Sequence, residues 1–287
     1  MRRHADGLRR TLMLEPRGHA GMQGVMLTEP ASPNPSTPGR AHAGLIFMNA
    51  SGFTAFSGEG VVAAVTLALD HKILHAESDE LIFDTPVGMI RARPRFNGAG
   101  SVESVAVTGV PSFVLSAGLP LQIGSKSLRV DIAFGGEFYA IVDSESIGVP
   151  ADAAHFPQLA RAAREIQEAM KGPKPLDGAV FTGPPAGSAD LRSVTVLAGG
   201  ILKRSPGVAG TFAMMTVLDA MGLLPEGQSF THEGVLGTTL RGRILSRQDA
   251  REGEPAMVVP MVEARAWYTG RHDFEVADAD PNPALEI

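Results

Sequence analysis

The chain contains no cysteine. Disulfides and zinc–thiolate sites are therefore excluded, and so is any reaction that needs a thiol nucleophile or a thiolate base. No run approaches the ~18 consecutive apolar residues of a membrane-crossing helix. The N-terminus has no apolar core of the kind found in signal peptides, so a cytoplasmic protein is expected. Positive charge does not gather into a stripe either. The net charge is −6, and the short cluster Arg2, Arg3, Arg9 and Arg10 ahead of Glu15 reads as a solvated terminal face rather than a nucleic-acid surface. Phosphate-binding loops, dinucleotide fingerprints and the Gly-x-Ser-x-Gly elbow are also missing.

What is present is ordinary for a globular chain. The 287 residues suit one large domain or two of usual size, with enough length to bury a sizeable core. The 33 glycines are explained by many tight turns between short strands. Alternating segments bounded by Gly, Pro, Asn or Ser predict strands over Leu81–Phe83, Met89–Arg93, Val102–Val107, Ser112–Leu115, Leu128–Phe134 and Phe138–Asp143. The same texture predicts Gly178–Thr182, Val194–Leu197, Thr238–Leu245, Ala256–Val262, Ala266–Tyr268 and Phe274–Val276. The Pro- and Ser-rich segment Glu29–Arg40 reads as an exposed loop.

Helical spacing predicts an amphipathic surface helix over Phe156–Met170. Two further segments, Gly58–Lys72 and Pro206–Gly222, are apolar on nearly every face, the mark of helices buried all round. Both have a start signal. Ser57 suits an N-cap before Gly58-Glu59-Gly60, and Ser205 suits one before Pro206 at the first helical position. Such starts present backbone N–H groups and the positive end of a helix dipole. One buried helix per half, each wrapped by strands, suggests a pseudo-symmetric α+β protein. If the two starts face one cleft, they would hold a small carboxylate or phosphate, although a serine before a helix is ordinarily only a cap. His71 and His75 have i, i+4 spacing but no acidic partner motif, so no metal site is expected there.

Several segments, in order, resemble the proline racemase family. They are Asp6-Gly-Leu-Arg-Arg-Thr-Leu-Met-Leu-Glu-Pro-Arg-Gly-His19, Phe53-Thr-Ala-Phe-Ser57-Gly-Glu-Gly60, Val110-Pro-Ser-Phe-Val114 and Asp131-Ile-Ala-Phe-Gly-Gly-Glu-Phe-Tyr-Ala-Ile-Val-Asp143. Phe181-Thr-Gly-Pro-Pro185, Arg204-Ser-Pro-Gly-Val-Ala-Gly-Thr211, His232-Glu233, Gly237-Thr238 and Ala266-Trp-Tyr-Thr-Gly270 follow. The resemblance implies a diaminopimelate epimerase-like fold of two halves, each a sheet wrapped around a central helix. It places residues 1–126 with 271–287 in one half and 127–270 in the other. It also implies first strands ahead of this starting point, a cytoplasmic homodimer and no cofactor. The substrate it implies is a small carboxylate of the proline or hydroxyproline type.

Family racemases and epimerases use two cysteines on opposite faces of the α-carbon, whereas the hydroxyproline dehydratases need one base. Position by position, Ser57 stands at the first cysteine and Glu59 at the motif histidine. Gly207 stands at the second cysteine, Val208 at the following glycine, and Lys203 at an aspartate that contacts the ring nitrogen. A serine hydroxyl is a far weaker acid than a thiol and needs an adjacent base, and Gly207 carries no proton at all. Dehydration or epimerisation of a hydroxyproline-type acid is therefore expected ahead of proline racemisation. The alternative is an inactive relative that binds a small anion. The catalytic candidate is Ser57, with Glu59 second, since the helix dipole stabilises its carboxylate and weakens it as a base. Gly58, Glu59, Gly60, Lys203, Gly207, Val208 and His232 are expected to bind substrate. The cationic Lys203 would repel a ring ammonium and favour a further carboxylate, which points to an anionic ligand without a secondary amine.

Overall fold

The computed structural model describes residues 2–31, 40–75, 79–170, 175–275 and 277, with side chains of 2–5 left out. Most of the loop expected at Glu29–Arg40, the end of the strand expected at Phe274–Val276, and the side chains of Arg2 and Arg3 lie outside the described residues. The chain forms two compact units, Met1–Val105 with Arg265–Ile287, and Ala106–Ala264. The boundary expected at 126/127 falls inside a hairpin, which is why the second unit begins earlier.

The first unit opens with α1 (Arg2–Met13), followed by β1 (Gln23–Thr28), β2 (Ala43–Asn49) and β3 (Gly52–Thr54). Next come α2 (Gly58–Asp70), β4 (Leu81–Thr85), β5 (Gly88–Phe96) and the start of β6 (Val102–Thr108). The order β1-β2-β4-β5 is antiparallel at β1/β2 and β4/β5 but parallel at β2/β4, with β3 folded back on β2. A parallel neighbour needs a crossover, and α2 supplies it. Its Val61, Val65 and Ala68 are fully buried and it packs against β1 and β5.

Two expectations are corrected here. The helix is not buried all round, because Ala63 is exposed and Leu67 is 39% exposed. Both border a cavity of about 220 Å³ that Trp267 and Tyr268 also line. Ala266–Tyr268, expected as a strand, runs without a partner strand, and Tyr268 instead sets its ring edge-on to His71, 4.6 Å between centroids.

The N-terminal cluster is also not simply a solvated face. Arg9, on the inward side of α1, is 4% exposed. Its guanidinium donates to the carbonyls of Asn49 and Ala50 at 3.0 and 2.6 Å and to Asp6 at 2.6 Å. A planar fork that satisfies two turn carbonyls and a carboxylate is what lets an arginine be buried.

The second unit contains β7 (Phe113–Ile123), β8 (Lys126–Phe134), β9 (Phe138–Asp143), α3 (Phe156–Ala169), β10 (Gly178–Gly183) and β11 (Leu191–Leu197). It continues with β12 (Ile201–Leu202), α4 (Val208–Ala220), β13 (Phe230–Glu233), β14 (Thr239–Gln248) and β15 (Met257–Ala264). The strand order is β15-β14-β13-β11-β10-β9-β8-β7. The helix α4 touches β15 and β14 at one end of that order and β9, β8 and β7 at the other. The sheet therefore curls around it, and every residue from Val208 to Val217 is buried. The sheet's opposite face is covered by α3, whose Leu159, Ala163 and Ile166 join Val130, Phe181 and Val196 in one apolar cluster. The expected α+β fold, a sheet wrapped around a buried helix, is thus present.

Close approach of α4 to the β8–β9 turn requires Gly135. A β-carbon there would lie 2.5 Å from the Ala209 carbonyl oxygen and 2.6 Å from the Ala213 nitrogen, both backbone atoms that cannot yield.

Candidate active site

In the first unit, the start of α2 is fixed by an aromatic wedge. Phe56 is 1% exposed and meets Phe47 edge-on at 6.0 Å. Ser57 follows in extended conformation and caps the helix as expected, its Oγ accepting the Gly60 N–H at 3.1 Å. The same hydroxyl lies 3.5 Å from the Gln23 side-chain oxygen. Neither partner takes a proton from it, so these contacts hold Ser57 without activating it. A β-carbon at Gly60 would lie 3.0 Å from the Phe47 ring, a tight contact that the ring would have to yield to. Glu59 is half-buried in the first turn, where an acidic residue suits the dipole. Ser57, Gly58, Glu59 and Gly60 are thus brought together by one turn of chain.

In the second unit, the start of α4 differs from its expected form. The cap is Gly207, not Ser205, and Pro206 lies outside the helix. Gly207 has φ +86° and offers no side-chain cap. That backbone region is cheap only for glycine. The helical ladder begins with the Thr211 N–H on the Gly207 carbonyl, 2.8 Å, so the amides of residues 208–210 lie ahead of it.

Lys203 lies four residues before this cap. Its N–H donates to the Thr195 carbonyl at 2.9 Å, and the residue is 9% exposed. Its side chain folds onto Gly207. A β-carbon built on Gly207 would meet Lys203 Cδ at 3.1 Å, Cε at 3.2 Å and Nζ at 3.5 Å. The lysine thus lies against the space that a side chain at 207 would enter.

His232 was expected at the ligand, but it is 0% exposed and both ring nitrogens are engaged inside the unit. Nδ1 lies 2.9 Å from Thr211 Oγ1 and Nε2 lies 2.8 Å from Ser193 Oγ. Burial pushes the imidazole pKa down to about 4, so the ring is neutral near pH 7. Thr211 spends its one hydroxyl hydrogen on the Gly207 carbonyl, 2.6 Å away. It must then accept from His232, which carries its proton on Nδ1 and accepts at Nε2 from Ser193. The result is a directed chain from Ser193 through His232 and Thr211 to Gly207 that pins the cap of α4.

Ser193 and Thr211 had no role in the sequence expectations. Ser193 is one of three polar residues on β11, with Arg192 and Thr195, and no local pattern distinguishes it. Thr211 lies within the motif Arg204–Thr211, so its position carried a signal but its bond did not. Glu233, next to His232, accepts the Ala186 N–H at 3.0 Å and lies 3.7 Å from Arg192. Val208 is fully buried as the first residue of α4.

The profile of the family described as Proline racemase matches residues 1–284. The trans-3-hydroxy-L-proline dehydratase of Bacillus thuringiensis subsp. konkukian (strain 97-27) is 36% identical over 293 residues, spanning 96% of this chain and 84% of the relative. The 4-hydroxyproline 2-epimerase of Streptosporangium roseum is 33% identical over 294 residues, spanning 97% and 85%. Among solved structures, a hydroxyproline epimerase from Agrobacterium vitis with bound trans-4-hydroxy-L-proline superposes with a TM-score of 0.87 at 23% identity. The match covers 98% of this chain and 82% of that one, and at such identity it is a likeness of fold.

Proposed function

Because this chain belongs to the proline racemase family, we propose that it is an enzyme that removes water from a 3-hydroxyproline-type cyclic amino acid. The observation that carries this reading is Gly207, a bare residue at the position where inverting relatives need a second proton carrier. Inversion at the α-carbon takes a proton from one face and returns another from the opposite face, so it needs two carriers. Elimination needs the α-proton removed and a leaving group on the neighbouring carbon. A hydroxyl on C3 is so placed, whereas one on C4 is a carbon too far to depart as the α-proton leaves.

In this reading the substrate-binding candidates are the backbone amides of Gly58, Glu59 and Gly60 at the start of α2 and those around Gly207 and Val208 at the start of α4, since helix starts hold carboxylates. Ser57 supplies a hydrogen-bonding hydroxyl at the first acid/base position, with Glu59 as its neighbour. Lys203 contacts the substrate, and His232 serves through Thr211 rather than by touching it. The 36% identical dehydratase supports the choice of reaction. We take the protein to act without a cofactor, as a cytoplasmic homodimer. Sedimentation of the purified chain and assay after exhaustive chelation test the oligomer and cofactor statements.

The deciding experiment offers trans-3-hydroxy-L-proline, trans-4-hydroxy-L-proline and L-proline separately, with product detected by NMR. Loss of water from the first, with neither of the others inverted at a comparable rate, is the expected result. Inversion of proline as fast as any dehydration would overturn the reading. A panel with no turnover, despite binding, would favour an inactive anion-binding relative.

A further inference from the structure

The start of α4 combines three features. Residue 207 has no side chain, and its φ of +86° disfavours acquiring one. The space in front of it is occupied by a long flexible amine whose Nζ would be 3.5 Å from the missing β-carbon. That amine belongs to a 9% exposed residue whose backbone is tied to β11 through Thr195. A surface lysine lays its apolar stem along the protein and sends its ammonium head into water. This one lays its head, too, along the cap of a buried helix.

We infer that Lys203 is the proton carrier of the site, delivering from position 203 the acid/base group that residue 207 does not have. The inference rests on the dehydratase reading. A primary amine suits the task better than the Ser57 hydroxyl, which among the described residues is bonded to an amide N–H and a side-chain amide oxygen, neither of them a base. Lysine is also a side chain that works as a general base once taken out of bulk water.

The step balances with this single residue. The Nζ lone pair takes the α-proton, and the electron pair of the broken Cα–H bond forms the double bond between C2 and C3. The C3–O bond breaks, and the proton now on Nζ passes to the departing oxygen. Water leaves, Nζ regains its lone pair, and the ring enamine rearranges to the cyclic imine in solution. No oxidant, reductant or second carrier is needed. One residue can do both jobs only if the α-hydrogen and the hydroxyl share a face of the ring. They do so in trans-3-hydroxy-L-proline and not in cis-3-hydroxy-L-proline.

Two measurements test this on the intact chain. The first compares both 3-hydroxyprolines with the unaltered protein, and the trans isomer is expected to react at least about 100-fold faster. Comparable rates would overturn the single-carrier step, and no turnover of either would remove the dehydratase reading itself, and the lysine's role with it. The second compares Lys203→Met, Lys203→Arg and Lys203→Ala, each checked for native circular dichroism. Met keeps the packing over Gly207, so kcat should fall by about 1,000-fold while KM stays within about threefold. Arg keeps a positive charge but never gives up its proton to become a base, so it should not restore kcat. Ethylamine added to the Ala variant should recover at least about tenfold. Undiminished kcat in the Met variant, or full activity in the Arg variant, would show that Lys203 only binds charge or fills space and would refute the inference.

Discussion

Buried imidazole and capped hydroxyl are the two residue-scale features with measurable consequences. For His232 the folded pKa of about 4 lies below the ordinary 6.5. Above pH 6.5 both folded and unfolded states are neutral, and nothing is lost. As pH falls from 6.5 towards 4, the unfolded chain gains a proton that the folded one refuses, so stability drops. The loss between pH 7 and pH 5 should be about 2 kcal/mol, seen as a lower urea midpoint. In His232→Gln that part of the pH dependence should vanish, although the variant starts less stable because Ser193 and Thr211 lose a partner. An unchanged slope would mean the ring is not held neutral. For Ser57, replacement by Ala removes both the cap on Gly60 and the proposed contact to substrate. A stability loss of about 1 kcal/mol is expected from the cap alone, together with a fall in kcat. Undiminished turnover of trans-3-hydroxy-L-proline would remove Ser57 from the site.

At the scale of elements, the two helices are less alike than their sequences. Both are continuous apolar stretches, yet α4 is enclosed by strands from both ends of its sheet, while α2 leaves Ala63 and Leu67 uncovered. Periodicity reports how much of a helix is apolar, not how many strands arrive to cover it. The α4 contact with the β8–β9 turn is backbone to backbone. Gly135→Ala should therefore cost about 3 kcal/mol or more through forced displacement, measurable by thermal or denaturant unfolding, with activity lost in parallel as the cap shifts. Gly88→Ala, at a hairpin glycine with nothing near its β-carbon, serves as a control. Its cost should come from positive φ alone and be smaller, about 1 kcal/mol. Equal effects would indicate that the approach of Gly135 to α4 is not tight.

At the scale of the whole molecule, substrate class turns on one lysine. Read from sequence as the replacement of an aspartate, Lys203 predicted a ligand with an extra carboxylate and no secondary amine. Its amine lies against Gly207, and a binding measurement decides between that expectation and the dehydratase reading. In a competition assay, trans-3-hydroxy-L-proline is expected to displace a fluorescent or radiolabelled acid more effectively than citrate or tricarballylate. The reverse order would restore the anionic-ligand expectation and weaken the dehydratase reading. The division into units shows the same limit of local reading. Residues 106–126 fall with the second unit because β7 pairs with β8 across the expected boundary, and a pairing partner is a non-local fact.

Much of this protein was legible without coordinates. The lack of cysteine alone ruled out thiol chemistry, the two greasy segments marked the buried helices, and the ordered motifs marked the family. Most of the strands in the second unit followed from alternation and turn residues, which are local properties. What only the tertiary structure decided are contacts between residues whose spacing has no period. Arg9 reaching the Asn49–Ala50 turn is one, and the Ser193–His232–Thr211–Gly207 chain is another. The fold of Lys203 over a glycine four residues ahead, across a non-helical turn, is a third. Burial of a polar side chain depends on which partners satisfy it, and those partners are chosen by the packing of distant strands, not by the neighbours in sequence.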